Sequence, residues 1–310
     1  MKACLFSLGL LLFTILGVHA QELTFFAPTG GEIETSYTGD LIDNPTEENI
    51  ALQETDAPTP SPVLTSGYLG VWIGGSDAHA SWMGVSWKSF TKKWKELSNK
   101  GLRLIDVEVR NENGQLKYDG IYRAGSGKYA LFQYDNWKSF VSKWKALAKD
   151  GLRLVDIESF KKGNKRYYVG VWQGGTDGYY LYRYNSWSDF TKKWEELAAK
   201  GQRLIDIETF KTGNTRTYIG VWRAGNGKYG LYRYNNWNSF TNKWKQMNKK
   251  KHQLIDVESF TEGGKQWYIG VWKGNASKYG LYLYNNWKSF KTKWGEMNKK
   301  NFRLIDFEKY

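Results

Sequence analysis

The chain has 310 residues, a net charge of +14, three histidines and one cysteine. One thiol and three scattered imidazoles exclude a disulfide framework and a Cys/His metal centre. The excess of bases favours anionic partners at low salt, whatever else the protein does.

Met1 to Ala20 reads as a secretory signal peptide: Lys2, an apolar stretch from Cys4 to Val18, and the small-residue pattern Val18-His19-Ala20. The stretch is short for a membrane span. Cys4 and His19 are expected to leave with it. Residues 21–66 carry nine acids, no Lys or Arg, and all five prolines. An acidic stretch with few periodic apolar residues is expected to be disordered, as a linker or as a removable acidic segment. Because Lys2 is the one base and those nine are the only acids before residue 67, 44 bases face 22 acids over 67–310, a net of +22.

From residue 67 a unit of fifty residues recurs five times. Trp87, Trp137, Trp187, Trp237 and Trp287 mark it, each followed seven residues later by Trp94, Trp144, Trp194, Trp244 or Trp294. A fixed period of this size is the signature of a repeat architecture. Within one copy, Arg203–Phe210, Arg216–Trp222 and Tyr229–Tyr234 read as strands separated by Gly- and Asn-containing turns. Trp237, Phe240, Trp244 and Met247 then share one helical face. Ser86, Asn136, Ser186, Asn236 and Asn286 stand where the helices need N-caps. Gly101, Gly151, Gly201 and Asn301 suit left-handed C-caps, and Lys251 is the departure, where fraying is expected.

These elements predict a mainly β fold with helices. We expect a closed five-bladed β-propeller-like ring, each blade a three-stranded antiparallel meander plus one amphipathic helix. Closure requires Arg303–Glu308 to pair with Tyr68–Trp72, which removes both sheet edges. An open solenoid is the rival.

The pattern Tyr-Ile-Gly-Val-Trp, Tyr-Gly-Leu-Tyr, Trp-x-x-Phe-x-x-x-Trp and Arg-Leu-Ile-Asp-Ile-Glu resembles the bacterial tandem repeat domain. That family also supplies the N-terminal module of fungal polyglycine hydrolases. The resemblance covers 67–310 and implies a propeller-like ring of atypical handedness. In those hydrolases the similar module precedes a β-lactamase-like domain, and no catalytic residue carries over to this chain. Scattered Ser-x-x-Lys fragments at Ser89, Ser142 and Ser159 and Lys211-Thr212-Gly213 do not recur at equivalent positions.

Three features bear on function. Asp106, Asp156, Asp206, Asp256 and Asp306 pair along the strand with Glu108, Glu158, Glu208, Glu258 and Glu308. They are expected to form ion pairs with Lys93, Lys143, Lys193, Lys243 and Lys293 or to bond backbone amides. Cation binding and paired-carboxylate hydrolysis are the sharper readings. The second-strand aromatics Trp72, Tyr122, Trp172, Trp222 and Trp272, beside Arg123, Gln173, Arg223 and Lys273, are the candidate ligand-binding set, with inter-blade packing as the alternative. Asn275-Ala276-Ser277 is a lone glycosylation sequon. The expectation is a secreted, non-enzymatic, multivalent lectin-like module for extracellular glycans, without cofactor or metal. The alternative is a matrix or polyanion-binding protein acting through its basic surface; nucleic acid is the less favoured anion.

Overall fold

The computed structural model describes residues 67–274 and 278–309. The expected signal peptide, the acidic segment and the Asn275 sequon lie outside the described residues. The elements begin with β1 (Tyr68–Gly74), β2 (His79–Val85), α1 (Trp87–Asn99), β3 (Leu102–Glu112) and β4 (Gln115–Ala124). The next repeat gives β5 (Tyr129–Tyr134), α2 (Trp137–Lys149), β6 (Leu152–Lys162) and β7 (Lys165–Gly174). The third gives β8 (Tyr179–Tyr184), α3 (Trp187–Ala199), β9 (Gln202–Thr212) and β10 (Thr215–Ala224). The fourth gives β11 (Tyr229–Tyr234), α4 (Trp237–Lys249), β12 (His252–Glu262) and β13 (Lys265–Gly274). The chain finishes with β14 (Tyr279–Tyr284), α5 (Trp287–Lys299) and β15 (Phe302–Lys309).

All five expected caps form. The side chains of Ser86, Asn136, Ser186, Asn236 and Asn286 accept the amide three residues on, satisfying a donor that the helix leaves open. Gly101, Gly151, Gly201 and Asn301 turn left-handed after the helices, and Lys251 does the same at φ 60°. The fraying expected there is not seen: α4 has the same 13 residues as its siblings, and Lys251 N–H still donates to Asn248 O at 2.9 Å.

The strands form five three-stranded antiparallel sheets, but not as consecutive meanders. The middle strand is β4 between β2 and β3, β7 between β5 and β6, β10 between β8 and β9, β13 between β11 and β12, and β1 between β14 and β15. Tyr229–Tyr234 thus pairs with Lys265–Gly274 beyond the helix, not with Thr215–Ala224 before it. The expected meander fails because the edge of β10 is already taken by β8. The expected pairing of β1 with β15 does form, with Leu69 opposite Glu308 and Ile73 opposite Arg303. β1 also pairs with β14, so neither of its edges is bare.

Each core lies between two sheets. Phe140, Trp172 and Leu154 of one unit pack with Ile219 and Val221 of the next. Phe190 and Trp222 do so with Ile269 and Val271. Phe240 and Trp272 meet Leu69 and Val71, and Phe290 and Trp72 meet Ile121. The glycine two residues before each tryptophan is required by this packing. A Cβ on Gly220 would stand 2.4 Å from Trp222 Cη2. The first strands pack side by side: β3 on β6, β6 on β9, β9 on β12, β12 on β15, and β15 on β3.

Lys251 holds a conformation that costs an L-residue about 1 kcal/mol and glycine almost nothing. Lys251→Gly is expected to raise stability by about that amount, or about 2–4 °C in thermal unfolding of a domain this size.

Candidate functional site

The proposed aromatic set is core. Trp72, Tyr122, Trp172 and Trp222 have no exposed surface and Trp272 has 1%. Trp172 packs edge-on against Phe132 and tilted on Phe140, and Trp222 repeats this with Tyr182 and Phe190. None of these rings offers a face to a ligand, which corrects the per-blade site. Their polar neighbours are also mostly engaged. Arg123 grips Asp77 through Nε at 2.9 Å, Arg223 grips Asp177 at 2.7 Å, and Gln173 Nε2 donates to Leu104 O at 2.9 Å. Lys273 alone stays exposed.

The repeated carboxylates line the meeting of the first strands. A bulge in each strand, at Ile205 in β9 for example, immediately precedes the aspartate. The next strand's aspartate then accepts a backbone amide: Val107 N–H donates to Asp156 at 3.1 Å, Ile157 to Asp206 at 3.3 Å and Ile207 to Asp256 at 3.1 Å. The Oδ2 atoms of Asp106 and Asp306 are buried without such a partner. Glutamates form a second layer, with Ser159 Oγ donating to Glu208 at 2.5 Å and Thr209 N–H to Glu258 at 3.2 Å. The amide half of the expectation holds and the lysine half does not. Lys93 and Lys293 bind Glu96 and Glu296 of their own helices, and Lys143 and Lys243 lie over Phe132 and Tyr232. Among the described residues, no group of three or more acids, histidines or cysteines has metal-binding geometry.

All ten of these carboxyls are pushed upward, first by burial, Asp156 to about 8 and Glu208 to about 7. Neighbouring carboxyls add to the effect of burial: Asp156 and Asp256 push Asp206 further up, and Glu208 and Glu308 do so for Glu158 and Glu258. Such groups bind protons on folding. Their contribution is complete below about pH 4, where both states are protonated, and is lost as pH rises through about 7 to 8. Thermal unfolding is therefore expected to occur at higher temperature at about pH 5 than at about pH 8.5, against the usual trend for carboxylate-rich proteins. An unchanged or rising midpoint across that interval counts against this account.

The cavity that stands out is where the last sheet meets the first. It has a volume of about 300 Å³ and is lined by β2, β3, β4, α5, β1 and β15. Four residues here break the repeat. Asp119 stands where Val169, Ile219 and Ile269 fill the core, and Arg110 where Phe160, Phe210 and Phe260 stand. Ser81 replaces Leu131, Leu181, Leu231 and Leu281, and Gly84 replaces Tyr134, Tyr184, Tyr234 and Tyr284. Asp119 is 1% exposed. Its Oδ1 accepts Gly84 N–H at 2.5 Å, and its Oδ2 lies 2.8 Å from Arg110 Nη1. Although that contact is short, neither Oδ2 nor Nη1 completes an aligned hydrogen bond, and Arg110 Nε, 3.2 Å from Glu112, does not either. Glu112 is paired in turn with Lys309. Burial raises the Asp119 carboxyl to about 6 despite Arg110, whereas the hydrogen bond from Lys309 lowers Glu112. The half-buried Trp287, with Trp294 and Phe307, forms the aromatic wall.

Comparison with family models matches a polyglycine hydrolase-like structural repeat four times, over residues 76–124, 136–174, 178–224 and 236–275, more than half of the chain. The chain belongs to that family. A comparison with curated proteins finds no match. The family's repeat supplies what the copies share, and the cavity arises from what one copy does not share. Reading the common pattern alone misses Asp119, Arg110 and Ser81; aligning the copies at fifty residues and asking where one departs would have found them.

Replacing well-packed apolar groups by a buried ion pair is usually neutral or destabilising, whereas removing one partner is costly. Asp119→Val is therefore expected to lose about 1–3 kcal/mol through a stranded Arg110. The double change Arg110→Phe with Asp119→Val restores the pattern of the other copies. Denaturant unfolding should show it at least as stable as the native chain.

Proposed function

We propose that the protein is a secreted, non-enzymatic carbohydrate-binding module built on a closed five-bladed ring, with one ligand site where the last blade meets the first. The ring is supported by the packing of β15 on β3 and by β1 lying between β14 and β15. Export is supported by the signal-like sequence of Met1 to Ala20. No helix of the described residues is long and apolar enough to cross a membrane.

The observation that carries the binding reading is the junction cavity. It joins an aromatic wall to buried, imperfectly satisfied polar groups, the combination that orients a small polar ligand on an apolar surface. Its volume suits one sugar residue rather than a chain. The opposite shifts of Asp119 and Glu112 resemble an acid–base pair. Yet Arg110 stands in contact with both carboxylates, in the space a scissile bond would need. The cavity thus favours binding over hydrolysis. A second reading, capture of polyanions, draws on a groove beside Trp87 lined by Lys117, Lys161 and Lys162.

A glycan array probed with the full chain at low and high salt separates the two. Binding in the cavity is expected to survive salt in part and to disappear in Ser81→Leu, which fills the space with the residue the other copies carry. Binding that vanishes with salt and ignores Ser81→Leu favours the polyanion reading. An array with no signal at either salt counts against carbohydrate binding altogether.

A further inference from the structure

The cavity's polar groups are not symmetric in kind. Arg110 brings two buried N–H donors, on Nε and Nη1, that no aligned acceptor uses. Asp119 brings one buried acceptor, Oδ2, in the same state. Both residues line the space that Trp287 walls. Arg110 lies within 3.2 Å of Glu112 and 2.8 Å of Asp119, and its guanidinium is the group that would receive an anion. A guanidinium fork matches a carboxylate better than it matches a hydroxyl, and charge-assisted bonds are the stronger kind. The complement of this wall is an anion with an adjacent hydroxyl on a compact ring that has an apolar face.

Resting on the carbohydrate-binding reading, we propose that the junction cavity selects an acidic monosaccharide residue. Its carboxylate is received by Arg110, its ring lies along Trp287, and a neighbouring hydroxyl meets Asp119. Asp119 and Arg110 are then the residues that set specificity. In three other copies the equivalent positions are a phenylalanine and a β-branched residue, which offer no donor to a carboxylate. The selectivity therefore belongs to this one junction.

The surroundings give the proposal a sign with pH. Asp119 is faced by Arg110 and Glu112 of β3, Lys309 of β15, Lys291 of α5 and the Gly84 amide of β2. As pH falls through about 6, Asp119 takes a proton, and Arg110 loses a competing anion. An acidic sugar stays ionised there, so it should bind more tightly. A neutral sugar held by hydroxyl donation to the Asp119 carboxylate should bind more weakly.

The minimal pair of probes is methyl glucuronoside and methyl glucoside, which differ in a carboxylate against a hydroxymethyl group. Protein-observed NMR titration of the full chain is expected to favour the glucuronoside by at least about tenfold. The preference should grow from pH 7 to pH 5 and be lost in Arg110→Phe, whose NMR spectrum also reports whether the fold is kept with Asp119 unpaired. Ser81→Leu, which leaves both charged groups in place, should abolish binding of either probe at the seam. Equal affinity for the two sugars, or a preference untouched by Arg110→Phe, overturns the acidic selectivity and leaves carbohydrate binding standing. Absence of binding to both sugars and to the whole array overturns both.

Discussion

The structure depends on the bonds that the repeated aspartates Asp156, Asp206 and Asp256 accept from backbone amides of the neighbouring first strands. These carboxyls are buried, close to one another, and without a cationic partner, an arrangement that apolar side chains would replace at lower electrostatic cost. What an apolar residue would not supply is register. Leucine on β9 would accept many heights against β12, whereas Asp256 Oδ2 meets the amide of Ile207 at one height only. The bulge before each aspartate serves the same end, because it shifts the strand by one residue just where the carboxyl must turn toward its neighbour. The hydrophobic cores between sheets then follow. With the first strands in register, Trp222 lies over Gly220 and Ile269 closes against it.

This arrangement makes the repeats a measure of what the fold requires. Where the copies agree, a residue is answering a packing or capping demand that recurs every fifty positions. Departures from that agreement have different standing. An exposed lysine that varies between copies says little, since the fold tolerates most residues there. Asp119 is another matter. It puts a carboxyl where Val169 and Ile219 are fully buried, and the residues that make room for it change in the same cavity. Several coordinated departures that each lower packing density are hard to ascribe to drift. Local conflict with the fold's own rule is where function is normally found.

Much of this was legible in the sequence, and the boundary of legibility is physical. Helices, caps and strand spans were readable because they answer to local periodicity: Asn236 caps α4 as Ser186 caps α3, and Phe240, Trp244 and Met247 bury one face. The partner of each third strand was not readable. A short turn from β10 to β11 looks like a hairpin, and only the prior occupation of β10 by β8 forbids it. The tryptophans misled for a related reason. Trp222 beside Arg223 resembles a binding pair in one dimension, but strand alternation sends the indole into the core and the guanidinium to Asp177. The seam was hidden by method rather than by physics, since Asp119 and Arg110 stand out once the copies are laid on one another.

A site at a seam has a consequence that a site within one blade does not. The cavity is lined by β1, β15 and α5 from one side and by β2, β3 and β4 from the other; β1 runs directly into β2, whereas α5 and β15 come from the far end of the chain and arrive through tertiary packing. Its groups are carried by strands and a capped helix rather than by loops, so their spacing is set by the same pairings that join β15 to β1. The Glu112–Lys309 contact already crosses this boundary. A ligand touching Arg110 and Trp287 together would cross it again, adding its binding energy to the interface where the two ends of the repeat array meet. Occupancy and integrity of the fold are then linked by mass action, and the cavity left by Ser81 and Gly84 is the space in which that link is made.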